Sequence, residues 1–177
     1  MSNNDVELNR TGNRLIAQRA YQAARATFEQ LVSQSPDNPD GYIGLAKALS
    51  RQGDYHAIVR QLENVVDRLG SDQLVLSFAD ALRVLANRGE SQYLKPAIEY
   101  YSRYHRKRKD QVTLFYQGEL MIQAGDLSAA AEVLRTSWEQ DRRSREVFNC
   151  LIGCLDSLKR PDEIQILQRL MDQQTKT

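Results

Sequence analysis

The chain has 177 residues and a formal net charge of +1, with 41% hydrophobic and 27% charged residues. This length allows one domain with a sizeable core, and the composition is ordinary for a soluble protein. The small net charge gives no overall field that favours a nucleic acid or an acidic membrane. With only nine glycines and four prolines, the chain has too few turn residues for an all-β fold.

The apolar runs and the N-terminus indicate a cytoplasmic protein. No apolar run approaches the roughly 20 residues that span a bilayer, and residues 1–5 lack the pattern of a secretory signal. Cys150 and Cys154 lie on one face of a predicted helix, where geometry disfavours a disulfide. No neighbouring ligand completes a zinc site, so both cysteines are interpreted as small buried side chains.

A short stretch, residues 51–60, predicts the basic element of the chain. It contains the end of one helix, a turn at Gly53 and Asp54, and the start of a second helix. Gly53 can adopt φ > 0 and close the first helix, and Asp54 can cap the second. The same turn returns at 125–127 and is inferred at 19–21 and 159–161, so the chain is predicted to repeat one helical hairpin.

The repeat has a period of 34 residues, because equivalent positions coincide when the sequence is shifted by that length. Small residues in the first helix of each repeat let the partner helix approach closely, and apolar residues at helical spacing face them. The coinciding pairs are Leu8 with Tyr42, Gly12 with Ala46, Leu15 with Leu49, Ala24 with Ile58, Phe28 with Leu62, Leu31 with Val65, and Pro36 with Gly70.

This pattern resembles the tetratricopeptide repeat family over roughly residues 5–173. The matching residues are Gly12, Leu15, Ala24, Phe28 and Pro36, then Tyr42, Leu45, Ala46, Leu49, Gly53, Tyr55 and Leu62, then Leu114, Gly118, Met121, Gly125, Ala130 and Leu134. The resemblance implies an all-α, right-handed α-solenoid of about five helix-turn-helix repeats and about ten helices.

In chain order, a disordered segment at 1–4 precedes a single solenoid domain at 5–173, and residues 174–177 fray. The repeats span about 5–38, 39–72, 73–109, 110–143 and 144–173. Their helices are predicted at 5–18 and 21–34, 39–52 and 55–69, 73–88 and 92–107, 111–124 and 127–140, and 144–158 and 161–173. The third repeat carries about three extra residues near 91–96, with Pro96 in a first helical turn.

The register of the third repeat is ambiguous, because its first helix is apolar nearly all round. We prefer the register with Phe78, Ala81, Leu82 and Leu85 on the packed face, since it places Gly89 where Gly53 lies in the second repeat.

The resemblance implies that the first helices line a concave groove in which a partner binds. Asparagine can bond a peptide backbone, arginine and lysine can hold a carboxylate, and aromatic rings can anchor an apolar side chain. The predicted groove residues are Asn9, Arg10, Asn13, Asp40, Ile43, Lys47, Arg51, Asp80, Arg83, Phe115, Tyr116, Glu119 and Asn149. The alternative is that these are only solvated helix faces.

Some members of this family hold the acidic tail of heat-shock chaperones with a clamp of lysine, arginine and asparagine. The corresponding positions here are Asn9, Asn13 and Gly44, then Gln73 and Ser77, or Leu76 and Asp80 in the other register. Only Asn13 matches, so a chaperone-tail adaptor is not expected.

A basic run, residues 103–109, is the sharpest local charge feature. Its cations are Arg103, Arg106, Lys107, Arg108 and Lys109, and they could bind phosphates of RNA or phosphoinositides. The alternative, which we favour, is that they complement the dipole of a helix C-terminus. A second, weaker basic patch lies at 141–145.

No enzyme, cofactor or metal site is predicted. The chain lacks phosphate-loop, nucleophile-elbow and zinc-protease motifs, His56 and His105 have no predicted catalytic partner, and Trp138 is interpreted as core. The predicted function is a protein-binding scaffold or adaptor that holds a peptide or helical segment. A secretion or assembly chaperone that shields an apolar segment is the alternative, and self-association is left open.

Overall fold

The computed structural model describes residues 2–108 and 110–174. Within these ranges the regular structure is helical throughout, with eleven α-helices and one short 3-10 helix at Ser91–Tyr93. The α-helices are α1 (Asn3–Ala17), α2 (Tyr21–Gln34), α3 (Pro39–Gln52), α4 (Tyr55–Leu62), α5 (Val66–Leu69), α6 (Asp72–Asn87), α7 (Leu94–His105), α8 (Gln111–Gln123), α9 (Leu127–Gln140), α10 (Arg145–Ser157) and α11 (Pro161–Gln174).

The N-terminus differs from the prediction, because residues 2–4 belong to α1 and its cap rather than to a disordered segment. The Ser2 hydroxyl accepts the Asp5 N–H, and the Asp5 carboxylate accepts the Ser2 N–H, each at 3.1 Å. This reciprocal pair satisfies two backbone donors at the start of the helix. Hydrogen bonds from the Ser2 backbone, the Ser2 hydroxyl and the Ser35 hydroxyl lower the pKa of Asp5. Residues 175–177, predicted to fray, lie outside the described residues.

The second helix of the second repeat also differs from the prediction of one helix over 55–69. It is divided into α4 and α5 by a turn in which the Val65 N–H bonds the Leu62 carbonyl at 3.0 Å. The tighter turn changes the register that follows. Val66 is consequently fully buried, whereas Val65, which the repeat pattern assigned to the packed face, is only half-buried.

The chain forms two compact units, residues 1–100 and residues 101–177, with the boundary inside α7. The first unit holds α1 to α6, the 3-10 helix and the start of α7, and the second holds the end of α7 and α8 to α11. The division into five repeats and one domain stays a prediction.

Packing in the first unit centres on Phe28 of α2, whose side chain is fully buried. Its ring occupies the space beside two backbone positions that carry no side chain, Gly12 of α1 and Gly44 of α3. A Cβ added at Gly12 would lie 2.5 Å from Phe28 Cζ, and one at Gly44 would overlap the ring. The two glycines therefore let α1 and α3 approach the same side chain.

The predicted turns are present, although two of them are built without glycine. Gly53 closes α3 with φ 76°, and the Asp54 carboxylate caps α4 by accepting the Ala57 N–H at 3.0 Å. At the equivalent turns Arg19 has φ 60° and Lys159 has φ 56°. A side chain in the left-handed region is strained, which explains why the sequence pattern showed these turns less clearly.

The preferred register of α6 agrees with its burial. Phe78, Ala81, Leu82 and Leu85 are all buried, and Gly89 has φ 95°, as expected of a position equivalent to Gly53. The extra residues of this repeat form the 3-10 helix, and α7 then begins at Leu94 with Pro96 in its first turn.

The core of the second unit combines α8, α9, α10 and α11 around Trp138, which is 1% exposed. The Trp138 indole N–H donates to the Arg142 carbonyl at 3.2 Å, so its polar atom is satisfied. Both cysteines are free thiols on α10. Burial raises the pKa of Cys150 and of Cys154, which favours the unreactive thiol form.

The packing at Phe28 predicts that two glycine-to-alanine substitutions change the free energy of unfolding in opposite directions. Gly44→Ala should destabilise the protein by about 1–3 kcal/mol, because the added methyl group overpacks a filled space. Gly153→Ala is the control, since a Cβ there meets no neighbour; it should stabilise α10 by up to about 1 kcal/mol. Denaturant unfolding measures both.

The same experiment in a Phe28→Leu background tests the cause. In this background Gly44→Ala should destabilise the protein much less, because the ring that the added methyl group would meet is gone. An equal cost in both backgrounds would contradict the assignment of Phe28 as the obstructing group.

Candidate partner-binding surface

Three first helices of the first unit lie in a row, with α3 packed between α1 and α6. Their polar, non-packing sides form what we call the first-helix face. It comprises nine of the predicted groove residues: Asn9, Arg10, Asn13, Asp40, Ile43, Lys47, Arg51, Asp80 and Arg83. The fold therefore brings these nine into one row of packed helices.

Two asparagines give α1 a hydrogen-bonding surface. The Asn13 side-chain amide donates to Asn9 Oδ1 at 2.7 Å and to the Asn9 carbonyl at 2.8 Å. Asn9 in turn donates to Asp40 Oδ2 on α3 at 3.4 Å, which links neighbouring repeats. The Asn13 side-chain oxygen, Oδ1, takes no part in these bonds, and Asn13 is exposed.

The charges of the face are predominantly positive. Arg10, Lys47 and Arg51 are exposed, and Arg83 is half-buried. The carboxylates are already engaged within the face: Asp40 accepts from Asn9, and Asp80 lies 4.0 Å from the Arg83 guanidinium. An incoming ligand consequently meets more exposed cationic groups than anionic ones.

The packing also explains why the chaperone-tail clamp is missing. The clamp needs an asparagine where this chain has Gly44, and any side chain there would overlap the buried Phe28 ring. Glycine is required at this position by the core, so the position contributes only backbone to the surface.

The second unit holds the remaining predicted groove residues, and the prediction for one of them is wrong. Phe115 is only 8% exposed and belongs to the core with Leu134 and Trp138, so it offers no free ring to a partner. The prediction failed because α8 is apolar on both sides, which hides the face that packs inward. Tyr116 is half-buried, and Glu119 and Asn149 are exposed.

The basic run 103–109 lies mostly beyond its helix. Because α7 ends at His105 rather than at residue 107, Arg103 alone of the five cations lies in the last helical turn. Arg106, Lys107 and Arg108 are exposed in the loop that follows. Lys109 lies outside the described residues.

A buried polar cluster in the second unit was missed by sequence reasoning. His105 Nδ1 lies 2.7 Å from Gln117 Oε1, and His105 Nε2 lies 2.8 Å from Thr113 Oγ1. The Thr113 hydroxyl donates to the Asp110 carboxylate at 2.6 Å, and the Gln117 amide donates to Ser102 Oγ at 2.6 Å. His105, Thr113 and Gln117 are each less than a tenth exposed.

The cluster joins the end of α7 to the first turns of α8. Its sequence signal was the spacing of Thr113 and Gln117, two polar residues four apart on an otherwise apolar helix. Since the named polar groups are bonded to one another, the cluster fixes the α7–α8 connection. A cavity of about 550 Å³ borders it, lined by Ser102, His105, Arg106, Leu114, Gln117, Glu132, Val133 and Thr136.

Comparison with known proteins finds a family match over part of the chain and a shared fold over most of it. A family model described as a tetratricopeptide repeat matches residues 15–57. A thermophilic TPR protein of Thermus thermophilus matches in structure with TM-score 0.62 and 18% identity, over 94% of this chain and 89% of that one. Residues 15–57 thus match the tetratricopeptide-repeat family, and the chain shares the fold of solved TPR proteins. The predicted fold class, an all-α solenoid of TPR-like hairpins, is confirmed.

Two further solved structures share the fold. YrrB, described as a TPR protein with an unusual peptide-binding site, has TM-score 0.75 and 16% identity over 93% of this chain and 82% of its own. MamA from Desulfovibrio magneticus RS-1 has TM-score 0.75 and 13% identity over 98% and 96%. No curated protein matches this chain in sequence. No helix in the described ranges has the length and apolar character to cross a bilayer.

The buried cluster predicts that substitutions of its members are not additive in their effect on stability. His105→Leu should destabilise it by about 1–3 kcal/mol, because Thr113 and Gln117 lose a partner while remaining buried. The triple variant His105→Leu, Thr113→Val, Gln117→Leu should cost less than the single one, since no buried polar side chain of the three is left unsatisfied. Thermal unfolding measures both, and a neutral single variant would contradict a structural role for the cluster.

Proposed function

We propose that this TPR protein is a protein-interaction scaffold whose first-helix face binds an acidic, extended segment of a partner. The TPR fold supports protein binding in general. The observation that carries the finer proposal is the charge arrangement of the first-helix face. Arg10, Lys47 and Arg51 are exposed there, whereas Asp40 is engaged by Asn9, and Asp80 is paired with the half-buried Arg83.

Electrostatic complementarity favours an acidic ligand. Arginine and lysine bond carboxylates with charge-assisted hydrogen bonds, which are about twice as strong as neutral ones. The cations come from three helices: Arg10 from α1, Lys47 and Arg51 from α3, and Arg83 from α6. A ligand that crosses these helices meets a cation on each of them, so several acidic residues along one segment can be bound.

An extended segment suits the polar groups between the cations. Asn9 and Asn13 present amide groups that can pair with a peptide backbone, which offers both donors and acceptors. The helices are rigid and already packed, so the ligand bears most of the ordering cost of binding. A peptide ligand is also supported by the neighbour YrrB, which is described as a TPR protein with an unusual peptide-binding site.

The alternative of a chaperone for an apolar segment loses support from the structure. Of the apolar residues predicted for the groove, Phe115 is in the core, and Ile43 on the first-helix face is half-buried. We therefore propose a binding module whose ligand is polar.

Selection of peptides tests the proposal. A random peptide library displayed on phage, panned against the intact chain, should enrich sequences rich in aspartate and glutamate. The variant Arg10→Glu with Arg83→Glu should bind the selected peptides at least about tenfold more weakly, because bonds to charged groups are worth about 1.5–3 kcal/mol each. Fluorescence anisotropy measures the affinities.

The matched control is Arg60→Glu with Arg169→Glu, which makes the same change of charge at exposed positions on the second helices α4 and α11, outside the face. It should retain binding apart from a general loss that high salt removes. Enrichment of apolar peptides, or equal loss in both double variants, would contradict the proposal.

A further inference from the structure

The fold brings together two basic patches that are separate in the sequence. One follows α7 and the other lies between α9 and α10, with about 35 residues between them. Because each helical hairpin reverses the chain direction, the α7–α8 and α9–α10 loops lie at the same end of the second unit. The cations there form what we call the basic edge: Arg106, Lys107, Arg108, Arg142, Arg143 and Arg145.

Hydrogen bonds confirm that the two loops are neighbours. The hydroxyl of Ser137, in the last turn of α9, donates to the carbonyl of Gln111, the first residue of α8, at 2.8 Å. His105, the last residue of α7, bonds Thr113 in the first turn of α8. Both basic loops therefore leave the helices close to the start of α8, and all six side chains of the basic edge are exposed.

Among the described residues, the cations at this end outnumber the carboxylates, which are those of Asp110, Glu139, Asp141, Glu146 and, in the last turn of α11, Asp172. Two of these carboxylates are engaged with backbone. Asp110 accepts the Thr113 N–H at 3.0 Å, and Asp141 accepts the Arg143 N–H at 3.0 Å. Glu139 and Glu146 are exposed. The basic edge thus has a local positive excess that the net charge of the whole chain, +1, does not reveal.

We propose that the basic edge binds the phosphate groups of an anionic phospholipid surface. Arginine is the residue best suited to bidentate phosphate contacts, and basic residues near an anionic membrane each add to its attraction. Five of the cations lie on two loops and Arg145 is the first residue of α10, so all six lie at one end of the second unit. Val112, 53% exposed in the first turn of α8, adds an apolar side chain at the same end.

Single-stranded RNA fits these residues less well, because recognition of unpaired bases relies on exposed aromatic rings. Trp138 is 1% exposed, and the Arg142 guanidinium carbon lies over it, 5.6 Å from the centroid of the Trp138 ring. Tyr104 is half-buried and meets the His105 ring edge-on at 5.8 Å. The basic edge therefore offers charge without a stacking surface.

Vesicle sedimentation with the intact chain tests the proposal. The protein should sediment with vesicles of phosphatidylglycerol and phosphatidylcholine at low salt, and not with phosphatidylcholine alone. The variant Arg106→Gln, Arg143→Gln, Arg145→Gln should partition about tenfold to a hundredfold more weakly. The same three positions changed to lysine should retain most of the binding, which separates charge from a folding defect.

The control Arg14→Gln, Arg60→Gln, Lys159→Gln removes equal charge from exposed positions elsewhere, with Lys159 in the α10–α11 loop at the opposite end of the second unit. It should sediment nearly as the unmodified protein does. Equal losses in the two glutamine variants, or no sedimentation of the unmodified protein, would overturn the proposal. Tighter binding to uridine homopolymer or duplex RNA than to the vesicles would overturn it in favour of a nucleic-acid partner.

Discussion

The contact of one aromatic ring with two glycines sets the geometry of the first unit. Phe28 is fully buried, and its ring occupies the space that side chains at Gly12 and Gly44 would need. The second unit repeats the device with an aliphatic side chain, because a Cβ at Gly118 would lie 2.6 Å from Leu134. In both units, a large side chain of a second helix thus fills the space beside a glycine of a first helix.

This packing places the candidate surface as well as the core. Because α1 and α3 pack against the same ring, their outward sides lie next to each other, and Asn9 can bond Asp40 across the two helices. The core requirement at Gly44 also removes a position at which related proteins carry a ligand-binding asparagine. The core contact and the proposed binding surface therefore depend on the same pair of helices.

Much of the fold could be predicted from the sequence because the repeat signals are local. The spacing of Gly12, Ala24 and Phe28 and the turn at Gly53 and Asp54 each follow from short-range geometry. The break between α4 and α5 could not be predicted, since the bond from the Val65 N–H to the Leu62 carbonyl replaces regular helix without glycine or proline. Phe115 was misassigned because periodicity cannot distinguish two apolar sides of one helix.

The buried cluster and the basic edge needed the tertiary fold for a different reason. His105, Thr113 and Gln117 come from two helices, and only their packing turns three polar residues into a bonded group. Likewise, Arg106 and Arg143 belong to different loops, and only the alternation of helix direction places them at one end. Sequence patterns report such residues separately and give no sign that they act together.

The most direct test of the central packing claim is a proton NMR measurement of contacts to the Phe28 ring. Nuclear Overhauser effects should connect the ring protons with the α-protons of both Gly12 and Gly44, and the ring current should displace those α-proton resonances from their usual positions. Effects to only one glycine, or to neither, would contradict the claim that α1 and α3 are aligned by a shared contact with this side chain.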